Sequence, residues 1–138
     1  MTVVNDAYNA NPDSMRAALT ALAAMSHGRR AIAVLGEMRE LGADSEREHA
    51  RLGELVAELG IPHLITVGRT EARCIEQAAR HGGVDAVHVA DQDAAFTELQ
   101  QRLRPGDAVL VKASRDANLQ TLAEQVARAG ADPRDHVA

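Results

Sequence analysis

Two polar runs carry residue types that bind charged small molecules. The first, Asn5-Asp6-Ala7-Tyr8-Asn9-Ala10-Asn11, follows the β-branched pair Val3-Val4 and leads into Pro12. Asp6 offers a carboxylate that can accept hydrogen bonds from ribose hydroxyls, as acidic groups at strand ends do in nucleotide-binding folds. The position equally suits an Asp that bonds its own backbone to hold a turn. Tyr8, one of two aromatics in the chain, lies beside it with Asn9 and Asn11. The second run is Lys112-Ala113-Ser114-Arg115. A lysine closing an apolar strand is unusual unless its ammonium reaches a crevice. Ser114 is placed to cap the next helix, so that helix's first amides point at the same spot. A helix amino end beside cations suits a carboxylate or phosphate. An ordinary cap beside two solvated cations explains the run as well. Between them, Gly36-Glu37-Met38-Arg39-Glu40-Leu41-Gly42-Ala43 forms a loop that Glu37 can order or through which it can meet a ligand.

These residues need a scaffold that gathers them. Val3-Val4 starts a strand, and Asn11-Pro12 starts a helix: Asn is a good N-cap and Pro fits the first turn. That helix spans about 12–26, with Met15, Ala18, Leu19, Leu22 and Met25 on one face. Ala31-Ile32-Ala33-Val34-Leu35 is an unbroken apolar run, as strands buried on both faces are. Ser45-x-x-Glu48 reads as a capping box for a second helix carrying Leu52, Leu55, Val56 and Leu59. His49 on that helix reads as a packing or surface residue. Strand three is 63–67, and Thr70 can cap a third helix at about 71–80. Strand four is 86–89, and a fourth helix is capped by Asp91 or Asp93. Strand five is 108–111, and a fifth helix carries Leu119, Leu122 and Val126.

Five strand–helix repeats joined by right-handed crossovers predict an α/β fold, a three-layer, mostly parallel sheet with helices on both faces. All five strand ends then share one edge, where ligands bind in such sheets. One domain is expected over 1–130, with a polar tail over 131–138.

Composition narrows the function. A formal net charge of −5, no dense Lys/Arg block and no row of aromatics argue against nucleic acid. Cys74, the single cysteine, excludes an internal disulfide and fits a reducing cytoplasm. No apolar run reaches membrane-spanning length. The histidines lack metal-ligand spacing, so no metal site is expected, and no residue is assigned as catalytic. The chain has no P-loop, no Gly-x-Gly-x-x-Gly and no Gly-x-Ser-x-Gly. A receiver-like signalling module would use Asp6 and Lys112. It would also need a phospho-accepting Asp after strand three, where Gly68-Arg69-Thr70 stands. A stand-alone adenine-nucleotide binding domain is a further alternative.

Asp6-Ala7-Tyr8-Asn9-Ala10-Asn11-Pro12-Asp13-Ser14-Met15 resembles the segment that opens the C-terminal domain of the Mur ligases. Gly36 to Ala43, with Ser45 and His49, resembles that family's loop after its second strand. Lys112-Ala113-Ser114-Arg115 resembles its Lys-Gly-Ser-Arg element, departing at Ala113. Asn9 and Asn11 stand where sister ligases have a histidine-containing loop, which favours the members that act on D-alanyl-D-alanine. The resemblance implies one domain of an ATP- and Mg2+-dependent amide ligase that joins D-alanyl-D-alanine to UDP-N-acetylmuramoyl-tripeptide in the cytoplasm. It implies that the P-loop, the magnesium ligands and the UDP-sugar site belong to two preceding domains, among them a central ATPase domain. Asp6, Tyr8, Asn9 and Asn11 would then meet ATP, and Lys112, Ser114, Arg115 and Glu37 the incoming dipeptide. The chain alone would be inactive and would hold no ligand firmly.

Overall fold

Apolar side chains pointing alternately to the two faces of four strands sort this protein into two cores. In the computed structural model, residues 2–5, 11–27, 29–39 and 41–112 are described. The expectations for Asp6, Tyr8, Asn9, Ser114, Arg115, the fifth helix and the polar tail lie outside the described residues. The chain runs β1 (Thr2–Asn5), α1 (Pro12–Met25), β2 (Ala31–Gly36), a 3-10 turn (Gly42–Asp44) and α2 (Ser45–Glu58). It continues through β3 (His63–Val67), α3 (Thr70–His81), β4 (Asp85–Val89), α4 (Gln92–Arg102) and β5 (Ala108–Lys112). The strands pair in parallel in the order β1-β5-β2-β3-β4.

Successive side chains of a strand point to opposite faces. Ala31, Ala33, Leu35, Leu64, Ala86, Ala108 and Leu110 face one way, against Met15, Leu19 and Leu22 of α1, Leu52 and Val56 of α2, and Ile75 and Ala79 of α3. Ile32, Val34, Ile65, Val67, Val109 and Val111 face the other way, against Ala95 and Leu99 of α4. Each fully buried Leu, Ile or Val adds about 1.5–3 kcal/mol. The helix placement follows from handedness. From β2 to β3 to β4 the chain steps in one direction, with α2 and α3 on one face. From β4 it returns to β5 at the centre, and a right-handed crossover in the opposite direction puts α4 on the other face.

Small residues let α2 and α3 approach closely. A Cβ on Gly53 would run into the Ile75 carbonyl oxygen and stand 2.9 Å from Ala78 Cβ. Asn11 caps α1 as expected: its Oδ1 accepts from the Ser14 amide at 2.8 Å, and Ser14 Oγ accepts from the Asn11 amide at 3.1 Å. Asp91 caps α4, accepting from the Ala94 amide at 2.9 Å.

Three local expectations are corrected. Met25 lies off the buried stripe of α1 and is 40% exposed. Ser45 does not form a capping box, because the 3-10 turn runs straight into α2 and Ser45 is already helical, at φ −55° and ψ −53°. A helical residue cannot fold its side chain back over the next turn's amides. Thr70 is likewise inside α3, and no side chain of the flanking Arg69 caps that helix.

Candidate functional site at the carboxyl edge of the sheet

The sheet order brings together the strand ends that lead into the two polar runs. Asn5 pairs with Val111, so β1 and β5 end side by side. Lys112 pairs with Leu35, which places the end of β5 against the end of β2 and so beside Glu37. Asn5 and Lys112, the last described residues before those two runs, therefore stand at neighbouring points on one rim. Of the expected nucleotide residues, Asn11 is described, and its side-chain oxygen is engaged in capping α1.

Lys112 departs from expectation. Its side chain is fully buried, and strand parity places it on the Leu110 face, under α1. An ammonium persists in such a place only with polar partners, and Lys112 has at least one. It is enclosed at the end of β5.

Glu37 supplies the cap that Thr70 does not. Its Oε2 accepts from the backbone amides of Arg69 at 3.1 Å and Ala72 at 3.4 Å, at the amino end of α3. A carboxylate there meets unpaired N–H groups and the positive end of the helix dipole. Gly68 makes this possible in two ways. Its φ of +142° is a conformation that side chains oppose, and a Cβ there would stand 2.8 Å from Glu37 Cδ and Oε1. Glu71, in the first turn of α3, is held below the ordinary carboxylate pKa. The adjoining Glu37 side chain is the largest cause, its own backbone amide comes next, and the Arg39 charge adds to both.

His49 fixes the same loop from α2. It is fully buried. Its Nε2 accepts from the Met38 amide at 2.9 Å, and its Nδ1 lies 2.6 Å from the Ser45 carbonyl oxygen. An amide only donates, so Nε2 is the acceptor and the ring proton sits on Nδ1, donating to Ser45. Between the loop and α3 lies a polar cavity of about 270 Å³, lined by Glu37, Met38, Arg39, Ser45 and Glu71, with Leu41 and Gly42. Among the described residues, no three His, Cys, Asp or Glu side chains converge as metal ligands would. Glu37 Oε2 is already engaged by the Arg69 and Ala72 amides. Among the described residues, no helix is long and apolar enough to cross a membrane.

Sequence reasoning placed Glu37 on the rim but missed its partner Gly68 and the part played by His49. The signal for His49 was its spacing with Leu52, Gly53 and Val56, the buried stripe of α2. A polar residue on such a stripe needs a polar partner.

At the opposite edge, Arg30 grips Asp107 with Nε at 3.2 Å and a terminal nitrogen at 2.7 Å. His63 lies between Arg30, 3.4 Å from its Nε2, and Arg102, 3.2 Å from its Nδ1. Burial, and then these two positive charges, lower its pKa.

Known proteins resemble this chain in sequence and fold. Residues 1–115 match the family profile described as Mur ligase, glutamate ligase domain. The UDP-N-acetylmuramoyl-tripeptide--D-alanyl-D-alanine ligase of Mycobacterium leprae (strain TN) is 46% identical over 95% of this chain and 28% of its own length. The ligase of the same name from Escherichia coli (strain K12) is 37% identical over 92% of this chain and 26% of its own. A crystal structure of MurF from Acinetobacter baumannii superimposes with a TM-score of 0.72 at 31% identity, covering 88% of this chain and 27% of that one. MurF ligase from Thermotoga maritima in complex with ADP gives 0.71 at 27% identity, again over 88% of this chain and 27% of that one. The chain thus spans little more than a quarter of the length of these relatives. With its five-stranded parallel sheet and the profile match across most of its length, the chain belongs to the Mur ligase family, as a C-terminal domain of that family.

Proposed function

We propose that this domain serves an ATP-dependent amide ligase that joins D-alanyl-D-alanine to UDP-N-acetylmuramoyl-tripeptide in the cytoplasm. In that reaction ATP phosphorylates the tripeptide carboxylate. The dipeptide amine then attacks the acyl phosphate, the new amide forms and inorganic phosphate leaves. The observation that supports the reading is the adjacency of the β1 and β5 ends, which immediately precede Asp6 and Ser114 in the sequence. The named relatives support the choice of substrates, and the ADP-bound neighbour supports a nucleotide.

In this reading Asp6 accepts from the ATP ribose, with Tyr8, Asn9 and Asn11 beside it. Ser114 and the first amides of the following helix hold the dipeptide carboxylate near Lys112, with Arg115 adding charge. Glu37 shapes the wall that faces the dipeptide. In this reading the phosphate-cradling loop and magnesium belong to a partner ATPase domain, since this chain carries no P-loop. Docking on that domain excludes water from a hydrolysable intermediate.

The test is activity and binding by this chain alone. With ATP and both substrates present, no phosphate release is expected, and calorimetric titration with ATP should show weak binding or none. Turnover by the chain alone contradicts the reading. Micromolar ATP affinity favours an independent nucleotide-binding domain.

A further inference from the structure

His49 is a buried titratable side chain that none of these binding roles uses. Leu or Met would fill the buried stripe of α2 equally well, so an imidazole at this position calls for a polar reason. The β2 ladder supplies one, since its last pair is Gly36 with Val67. Met38 lies beyond that pair with its side chain buried, and its amide donates to His49 Nε2 at 2.9 Å. The other ring nitrogen is tied to the Ser45 carbonyl on the same helix at 2.6 Å, so the ring cannot swing away without losing both bonds. One residue before Met38, Glu37 reaches the Arg69 and Ala72 amides. We propose that His49 is a positioning residue: through Met38 it fixes where the Glu37 carboxylate stands at the amino end of α3, and with it the polar cavity between that loop and α3.

The positioning is a property of this chain, whereas its consequence for ligation rests on the function proposed above, so the two are tested separately. The first measurement needs no substitution. Long-range proton–nitrogen NMR of the unaltered chain should show His49 protonated on Nδ1 with Nε2 accepting, and a proton on Nε2 overturns the proposal. Hydrogen exchange then reads the lever. In His49→Phe, which keeps a flat ring and loses both nitrogens, the Met38, Arg69 and Ala72 amides should exchange about 10- to 100-fold faster, as expected for losing bonds to a polar or charged acceptor. His49→Gln, whose amide oxygen can reach the place of Nε2, should restore protection. Leu52→Ala on the same buried stripe is the control for general loosening of α2. Equal acceleration at Arg69 and Ala72 in Leu52→Ala and His49→Phe overturns the proposal, and so does no acceleration in His49→Phe. In a ligase carrying this domain, His49→Phe should raise KM for the dipeptide severalfold with KM for ATP unchanged. If the exchange result holds and KM does not move, the positioning stands and the assignment of Glu37 to the dipeptide falls.

Discussion

Replacing Gly68 with alanine tests the carboxyl-edge geometry through two separable costs. A residue with a Cβ held at φ +142° is strained by about 1–3 kcal/mol. The new Cβ would also meet Glu37 Cδ and Oε1 at 2.8 Å and Cγ at 2.9 Å, so the side chain must shift, and the expected outcome is that its carboxylate leaves the α3 amides. Its bonds to Arg69 and Ala72, at 3.1 and 3.4 Å, are then lost. A charged acceptor at a half-exposed helix end contributes about 1–2 kcal/mol. Gly68→Ala should therefore destabilise by about 2–5 kcal/mol, and Glu37→Ala by about 1–2 kcal/mol. In the double variant the strain persists, but the collision is gone and the cap can be lost only once. Its cost should fall short of the sum by about 1–2 kcal/mol. Urea unfolding followed by circular dichroism, with linear extrapolation, measures all four stabilities. Additive costs, or a Gly68→Ala cost below about 1 kcal/mol, would show that Gly68 and Glu37 do not share the geometry described.

Gly53→Ala should destabilise by about 1–3 kcal/mol or more, because the Cβ meets the Ile75 carbonyl of α3. An unhindered helix would instead gain up to about 1 kcal/mol, so the sign from thermal unfolding decides. His63 has its pKa lowered from 6.5 in the folded chain, so the unfolded state takes up the proton first. Its contribution is present above about pH 6.5 and is lost as pH falls through the lower folded value. Urea midpoints between pH 7.5 and 5 should fall less steeply in His63→Gln than in the parent, and equal slopes would refute this. Asn11→Ala should cost about 1 kcal/mol through the lost α1 cap, whereas Asn11→Asp keeps the cap. In the ligase, a rise in KM for ATP with Asn11→Asp at unchanged stability would then report a nucleotide contact by the amide.

The fold was legible because parallel strands buried on both faces read as apolar runs. Ala31 to Leu35 and Ala108 to Val111 showed them with few ambiguous neighbours. Strand order was not legible, since nothing in the local pattern says that β5 inserts between β1 and β2. Caps made within a segment, such as Asn11 with Ser14, could be read from spacing. The cap on α3 could not, because its acceptor, Glu37, is 32 residues away from Arg69. The burial of Lys112 was not legible for a related reason. A cation closing an apolar strand suggested a crevice, and its burial is decided by strand parity and by α1 packing over that face.

The central claim is that one rim divides its work between a nucleotide and an acidic small molecule. Steady-state kinetics of a ligase bearing this domain, with Asp6→Asn and Ser114→Ala, test it most directly. The account expects Asp6→Asn to raise KM for ATP and leave KM for D-alanyl-D-alanine alone, and Ser114→Ala to do the reverse. Both constants unchanged in both variants, or the two effects exchanged, would contradict it.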